Sequence, residues 1–386
     1  MKAVQLKENI YWVGGVDWKL RNFHGYSTWR GSSYNAYLIL DEKITLIDTA
    51  KYYLADELIS RISDVVDPSK IDYIVSLHAE QDHSGSIQRV LDTAPNAKVF
   101  TCDAGKKDLM LQFNKEWNFN LIKTGDTLSL GKHSLQFVAT PMVHWPDNMV
   151  AYDSESKILF SNDAFGQHIA TSERFDDEYS SDILIGEAQK YYGNIVMPYA
   201  RQTGNALDAT AKLDLDIIAP GHGIIWRSHI PTILKKYRQW ADNEYLKKAI
   251  IAYDSMWGTT EKMAYKIYES FEEKGYSIKI FDLKTTDNSD IITEIVDAEY
   301  ICVGSPTLNK GILANVGGFL TYLKGLAPKN RKGILFGSYG WAPSNIQTME
   351  LFFKESGIDT KFTFCSQFSM TEDDLSKLKE GILEIL

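Results

Sequence analysis

Ser76-Leu-His-Ala-Glu-Gln-Asp-His-Ser-Gly85 sets two histidines and two carboxylates, His78, Glu80, Asp82 and His83, within six residues. The run before it, Ile71-Asp-Tyr-Ile-Val-Ser76, has the length and β-branched content of a buried strand. The strand therefore delivers four metal-ligating side chains into the loop at its carboxyl end, with a helix expected to open near Ser84. Imidazoles alone suit zinc, copper or iron. Adding two carboxylates makes a harder, more anionic site that favours iron or manganese over zinc. The stretch also reads as a polar loop capping a helix, with Ser84 or Asp82 as the N-cap, and ligands further along the chain decide between the two readings.

Such ligands are present. Of the eight histidines, at 24, 78, 83, 133, 144, 168, 222 and 229, His144 lies in Pro141-Met-Val-His-Trp-Pro146 after the strand-like 135–140, and His222 lies in Ile217-Ile-Ala-Pro-Gly-His-Gly223. Asp163 follows the apolar 157–161 in Ser161-Asn-Asp-Ala-Phe165. Each stands where a strand runs into a turn, the place from which distant parts of a chain gather ligands. His133, His168 and His229 carry no functional assignment.

In this order, His78-x-Glu80-x-Asp82-His83, His144, Asp163 and His222 resemble the metallo-β-lactamase-like domain of flavodiiron proteins. Hydrolytic relatives usually have histidine and bind zinc where this chain has Glu80. The resemblance implies two iron ions, one held by His78, Glu80 and His144, the other by Asp82, His83 and His222, with Asp163 bridging both. In some members the histidine matching His83 is off the metal. His24, in the aromatic-rich Asn22-Phe-His-Gly-Tyr-Ser-Thr-Trp29, resembles a family position that lines the diiron pocket and helps supply protons; Tyr191 and Tyr192 are further candidates for that pocket.

A chain of 386 residues exceeds the usual single core, so two domains are expected, 1–247 and 248–386. In the first, strands are expected near 10–13, 35–40 and 44–48, with helices over 53–65 and from Pro231 to Leu246. From Lys248 onward, strands at 249–253, 277–281, 300–303, 333–337 and 359–364 alternate with helices, which calls for a doubly wound parallel sheet with its ligand outside the strands' carboxyl ends.

Three loops at those ends carry the second site. Ser255, Met256, Trp257, Gly258, Thr259 and Thr260 offer hydroxyls, a tight turn and a helix N-terminus without lysine or arginine, which suits one terminal phosphate. Ser305, Pro306, Thr307, Leu308 and Asn309 form the second loop, and Ser338, Tyr339, Gly340 and Trp341 the third, the aromatics supplying flat faces for a ring system. One phosphate loop with two ring loops resembles a flavodoxin, which implies FMN. The whole chain thus resembles a two-domain flavodiiron protein: an αββα metallo-β-lactamase-like sandwich followed by a flavodoxin-like domain.

The resemblance implies reduction of dioxygen to water, of nitric oxide to nitrous oxide, or both, in a head-to-tail homodimer or a dimer of dimers. Electrons would come from an external donor, a rubredoxin or reduced deazaflavin F420, because Cys102, Cys302 and Cys365 include no Cys-x-x-Cys pair and the chain carries no rubredoxin or reductase extension. A net charge of −10 argues against nucleic acid. No apolar run spans a bilayer, and Met1-Lys-Ala-Val-Gln-Leu-Lys7 lacks a signal pattern, so the cytoplasm is expected. A zinc hydrolase carrying a flavodoxin module, and a non-enzymatic diiron/flavin redox sensor, are the alternatives.

Overall fold

The computed structural model describes all 386 residues, Met1–Leu386. The chain divides into two compact units, Met1–Tyr191 with Arg201–Arg238, and Tyr192–Ala200 with Gln239–Leu386.

The first unit stacks two sheets. Seven strands lie in the order Val4–Lys7, Ile10–Trp12, Tyr37–Ile39, Thr45–Ile47, Tyr73–Val75, Lys98–Thr101 and Phe119–Leu121. Five lie in the order Thr127–Ser129, Ser134–Ala139, Met149–Asp153, Ile158–Asn162 and Ile217–Pro220. Alternation along the strands sorts the side chains. Tyr37, Ile39, Val75, Phe137, Phe160 and Ile217 fill the space between the sheets. Leu38, Leu46, Ile74 and Val99 point the other way, onto Leu58, Ile62, Val90 and Leu109 of the helices Ala55–Val65, Ile87–Thr93 and Asp103–Phe113. Helices Ala200–Thr210 and Ile230–Ala241 cover the outer face of the second sheet around Val150 and Leu159. The result is the αββα sandwich. The strands Tyr73–Val75, Ser134–Ala139, Ile158–Asn162 and Ile217–Pro220 end just before His78, His144, Asp163 and His222 respectively.

Four expectations shift. The helix expected to run from Pro231 to Leu246 ends at Ala241, where Asn243 takes a left-handed φ of 54°, a conformation that stops a helix. Leu246 already belongs to the strand Leu246–Tyr253, so the expected boundary after residue 247 falls inside a strand. Nor does one helix open near Ser84: the ligand stretch folds as a single turn, Gln81–Ser84, followed by Ile87–Thr93. Neither Asp82 nor Ser84 caps it. The N-cap is Glu80, with no side-chain cap bond, and the Ser84 hydroxyl donates to the Ala79 and Glu80 carbonyls (2.8 and 2.9 Å).

The second unit is a parallel five-stranded sheet in the order Ser277–Asp282, Leu246–Tyr253, Ala298–Gly304, Lys332–Tyr339 and Asp359–Gln367. In chain order this is 2-1-3-4-5, the flavodoxin-like winding, whose ligand crevice opens where the order reverses, between the first and third strands. Ala249, Ile251 and Tyr253 pack on Met263, Ile267 and Phe271 of helix Thr259–Glu273 and on Leu378 and Ile382 of helix Glu372–Ile385. No helix of the chain is long and apolar enough to cross a membrane.

Candidate metal centre and flavin site

The seven residues singled out as ligands converge in the first unit. One group is His78, Glu80, His144 and Asp163; the other is Asp82, His83 and His222; within each, the candidate donor atoms lie within 4.8 Å of one another. His144 Nε2 stands 3.2 Å from Glu80 Oε2 and 3.3 Å from Asp163 Oδ2, and His78 Nε2 is 3.3 and 3.6 Å from the same two oxygens. The other oxygen of Asp163 faces the second group, 2.9 Å from His83 Nε2 and 3.3 Å from His222 Nε2. Asp163 thus turns one oxygen to each group.

Residues that carry no sequence signal fix these orientations. His78 Nδ1 lies 3.0 and 3.1 Å from the two Asp147 oxygens, and Asp147 also accepts the Ala79 amide (2.6 Å). His222 Nδ1 meets the Ser33 carbonyl at 3.0 Å. With each Nδ1 so engaged, each Nε2 is left to face the cluster. Buried Asp48 accepts the Leu77 amide (2.8 Å) and the Asn162 amide group (3.0 Å), and Asn162 in turn accepts from Asn148 (3.1 Å), so one polar chain ties three ligand loops together.

The electrostatics are those of an anionic nest. Burial alone would raise the Glu80 carboxyl, but hydrogen bonds from His144, His24 and His78 hold it far below the usual range. Burial works against the imidazolium forms too, yet Asp147 and Glu80 lift His78 to about 10, and Asp163 and Glu80 lift His144 to about 10. A bare cluster therefore collects protons that a metal must displace.

His24 Nε2 lies 2.7 Å from Glu80 Oε1, on the solvent side. The Tyr191 hydroxyl donates to Asp163 Oδ1 (2.9 Å). His168, given no role from sequence, is buried with Nδ1 2.6 Å from Ser32 Oγ and its ring 4.8 Å from that of His222. Burial drives it well below the ordinary histidine range, followed by the charges of His222 and Lys51.

In the second unit, a cavity of about 490 Å³ opens at the strand ends, lined by Met256, Trp257 and Thr259, by Pro306 through Lys310, by Ser338 through Ala342, and by Phe368. Ser255, Gly258, Thr260 and Ser305 do not line this cavity itself. Ser255 accepts the Gly258 amide (3.0 Å), and Gly258, at φ 83°, opens helix Thr259–Glu273. Thr260 pairs with Ser338 (3.3 Å), and buried Ser305 accepts the Leu313 amide (3.1 Å). Lys310 and Ala342 close the two ring loops, and Phe368 was not anticipated. Nor was Lys284, whose Nζ donates to the Ser255 carbonyl (3.1 Å): the Ser255–Thr260 loop has no lysine of its own, but the turn after strand Ser277–Asp282 brings one in.

Two family models match the chain, ODP family beta lactamase over residues 33–223 and flavodoxin over 251–381. The nitric oxide reductase of Moorella thermoacetica is 44% identical over 363 residues, covering 93% of this chain and 91% of that protein. The rubredoxin oxygen:oxidoreductase of Desulfovibrio gigas superimposes with a TM-score of 0.97 at 40% identity, over 100% of this chain and 98% of that one. The flavodiiron protein of Giardia intestinalis does so with a TM-score of 0.97 at 31% identity, over 100% and 96%.

This chain belongs to the flavodiiron protein family.

A flavodiiron protein is an oxidoreductase with FMN in its flavodoxin unit and a non-haem diiron centre in its β-lactamase-like unit, and the residues present fit both groups. Both oxygens of Asp82 and Oδ2 of Asp163 are buried with no hydrogen bond, met only by the candidate-ligand imidazoles at 3.3–3.6 Å. Carboxylate oxygens so placed cost roughly several kcal/mol unless a cation meets them. Ligands about 2.1 Å from one metal ion lie about 3.0–3.4 Å from one another, close to the spacings found here. Thr307 Oγ1, on the flavin cavity, is likewise buried and unpartnered.

Gly221 offers a test of His83. A Cβ there would meet His83 Cε1 at 2.6 Å and Nδ1 at 3.1 Å, and the fully buried imidazole has nowhere to retreat. Gly221→Ala is therefore expected to displace His83 and to lower bound iron to the level of His83→Ala, measured by metal analysis. Wild-type iron in both variants would take His83 out of the ligand set.

Proposed function

We propose that this chain reduces dioxygen to water, nitric oxide to nitrous oxide, or both, taking electrons from an external donor such as a rubredoxin. The observation that carries the reading is the pair of two-histidine, one-carboxylate sets joined through Asp163, a donor arrangement suited to non-haem ferrous iron with open positions. His78, Glu80 and His144 would hold one iron, Asp82, His83 and His222 the other, and Asp163 both. The cavity edged by Trp257, Pro306–Lys310 and Ser338–Trp341 would take the flavin ring, with the Ser255–Thr260 turn at its phosphate.

A ferrous pair supplies two electrons and reduced FMN two more, which together meet the four needed to take dioxygen to two waters; two nitric oxide molecules need only two. The residues do the rest. Asp147 and the Ser33 carbonyl keep His78 and His222 aimed at the cluster. His24, partly exposed and bonded to Glu80, joins the pocket to solvent and is placed to bring in protons. Three unpaired cysteines fit a reducing compartment such as the cytoplasm.

The test is metal and flavin analysis coupled to steady-state consumption of each gas with one artificial reductant. About two irons and one FMN per chain with multiple turnover are expected. Stoichiometric zinc, with no gain of activity on iron reconstitution, would favour the hydrolase reading instead, and a single turnover would favour a sensor.

The same reading makes the protein a head-to-tail homodimer, or a dimer of such dimers, in which FMN of one chain serves the irons of the other. Trp257 and Trp341, 93% and 92% exposed beside the flavin cavity, leave an apolar rim that a partner surface would cover. A chain made iron-free by His78→Ala with Asp163→Ala, mixed under subunit exchange with one made FMN-free at Ser255 and Thr259, is expected to regain part of the activity that each parent lacks. Proven exchange without any return of activity rules the arrangement out.

A further inference from the structure

A second, much smaller cavity lies in the first unit behind two of the ligand loops, and nothing in the chemistry above uses it. It measures about 20 Å³, and its walls include Val143, Val150, Leu159, Ala164, Leu207 and Tyr237. The second sheet forms one side, and helices Ala200–Thr210 and Ile230–Ala241 form the other. Thr140, Thr203, Thr210 and Tyr237 are the polar residues of the lining; Thr210 donates to the Ala206 carbonyl (2.9 Å), and the Tyr237 hydroxyl accepts the Phe165 amide (2.8 Å). A water needs about 10–15 Å³ and two to four polar partners. The space meets the first condition, and with seven of its eleven lining residues apolar it suits a small apolar molecule.

Its position gives that molecule a destination. Val143 precedes His144 and Ala164 follows Asp163, so two residues of the wall are chain neighbours of two candidate ligands. Those neighbours point into the cluster, with His144 Nε2 and Asp163 Oδ2 3.3 Å apart. Two residues of the cavity wall are thus one position along the chain from residues that face the reacting region. On the other side, Ala206 and Thr210 are partly exposed, which gives the cavity a face toward solvent.

We propose that this cavity is a binding site and entry point for the apolar diatomic substrate on its way to the metal centre. The proposal rests on the gas-reduction reading. Transfer of such a molecule from water into an apolar wall of carbon is favourable, and no bond is made or broken there. The lining residues act by size: enlarging a wall side chain excludes the gas and slows its supply without touching a ligand.

Xenon under pressure is the probe, applied to crystals of the iron- and FMN-loaded enzyme and read without turnover. Xenon is expected between Val143, Leu207 and Tyr237. Ala206→Leu should exclude it and lower kcat/KM for the gas several-fold, with kcat at saturating gas falling less and bound iron retained. Val150→Ile fills the cavity from the opposite wall and should do the same if Ala206→Leu folds poorly. An empty cavity under xenon in the wild type, or a filled variant that excludes xenon yet keeps wild-type kcat/KM, overturns the proposal. A loaded wild-type enzyme that takes up xenon but reduces neither gas would refute the functional reading itself, and with it the cavity's role as a substrate site.

Discussion

Asp163→Ala is expected to lose most bound iron and all measurable gas reduction, whereas His168→Ala keeps its metals. Asp163 is the one residue whose two carboxylate oxygens face different halves of the cluster, at 3.3 Å from His144 Nε2 and 2.9 Å from His83 Nε2. Alanine removes a negative charge from between the two groups and leaves four imidazoles crowded without it. Breaking a buried ionic set in this way typically costs about 3–5 kcal/mol, roughly a hundredfold or more in affinity. Asp163→Asn keeps the volume, so its shortfall separates charge from packing. His168 touches the cluster only through ring packing, and its loss leaves every donor atom in place. Iron content and gas consumption are measured together in all three variants; two retained irons in Asp163→Ala would remove that residue from the centre.

The second large effect concerns the flavin. Asn345, fully buried, donates to the Ser305 carbonyl (2.7 Å) and lies 3.4 Å from the Ser338 carbonyl, pinning one ring loop to the other. Gly337 leaves room for that staple, since a Cβ there would meet the Ser305 carbonyl oxygen at 2.0 Å and Asn345 Nδ2 at 2.3 Å. Asn345→Ala takes a donor from a buried carbonyl, a loss of about 1–3 kcal/mol, and should weaken FMN binding by about tenfold or more. Gly337→Val forces the loops apart and is expected to abolish FMN binding. FMN fluorescence quenching reads both without turnover, and near-wild-type affinity in Gly337→Val would show that the two loops do not hold the ring.

Much of the second unit was legible because each strand and helix there is a local pattern: apolar runs of strand length alternate with amphipathic stretches, and all five expected strands lie within observed ones. The end of the helix beginning at Ile230 was less legible, because a charged amphipathic stretch does not show where Asn243 turns left-handed. At the metal site the ligand types could be read directly, since side chains that bind metals are few and stand at strand ends. The residues that aim them could not. Asp147, Asp48 and Ser33 act through a carboxylate or a carbonyl, groups present throughout any chain, and only their distances to His78, Leu77 and His222 set them apart. Lys284 escaped notice for a related reason: the loop it supports is 29 residues away in sequence but one strand away in the sheet.

The sequence by itself determined the family, the two-domain order and the donor chemistry, because these reside in residue types and their order along the chain. Tertiary structure decided which oxygen of Asp163 faces which group, which imidazole nitrogen is left free for the cluster, and which hydroxyls of the flavin loops face the cavity rather than bracing their own turns. Those are matters of direction at a scale of about 3 Å, and direction exists only once the sheets and helices have closed around the side chains.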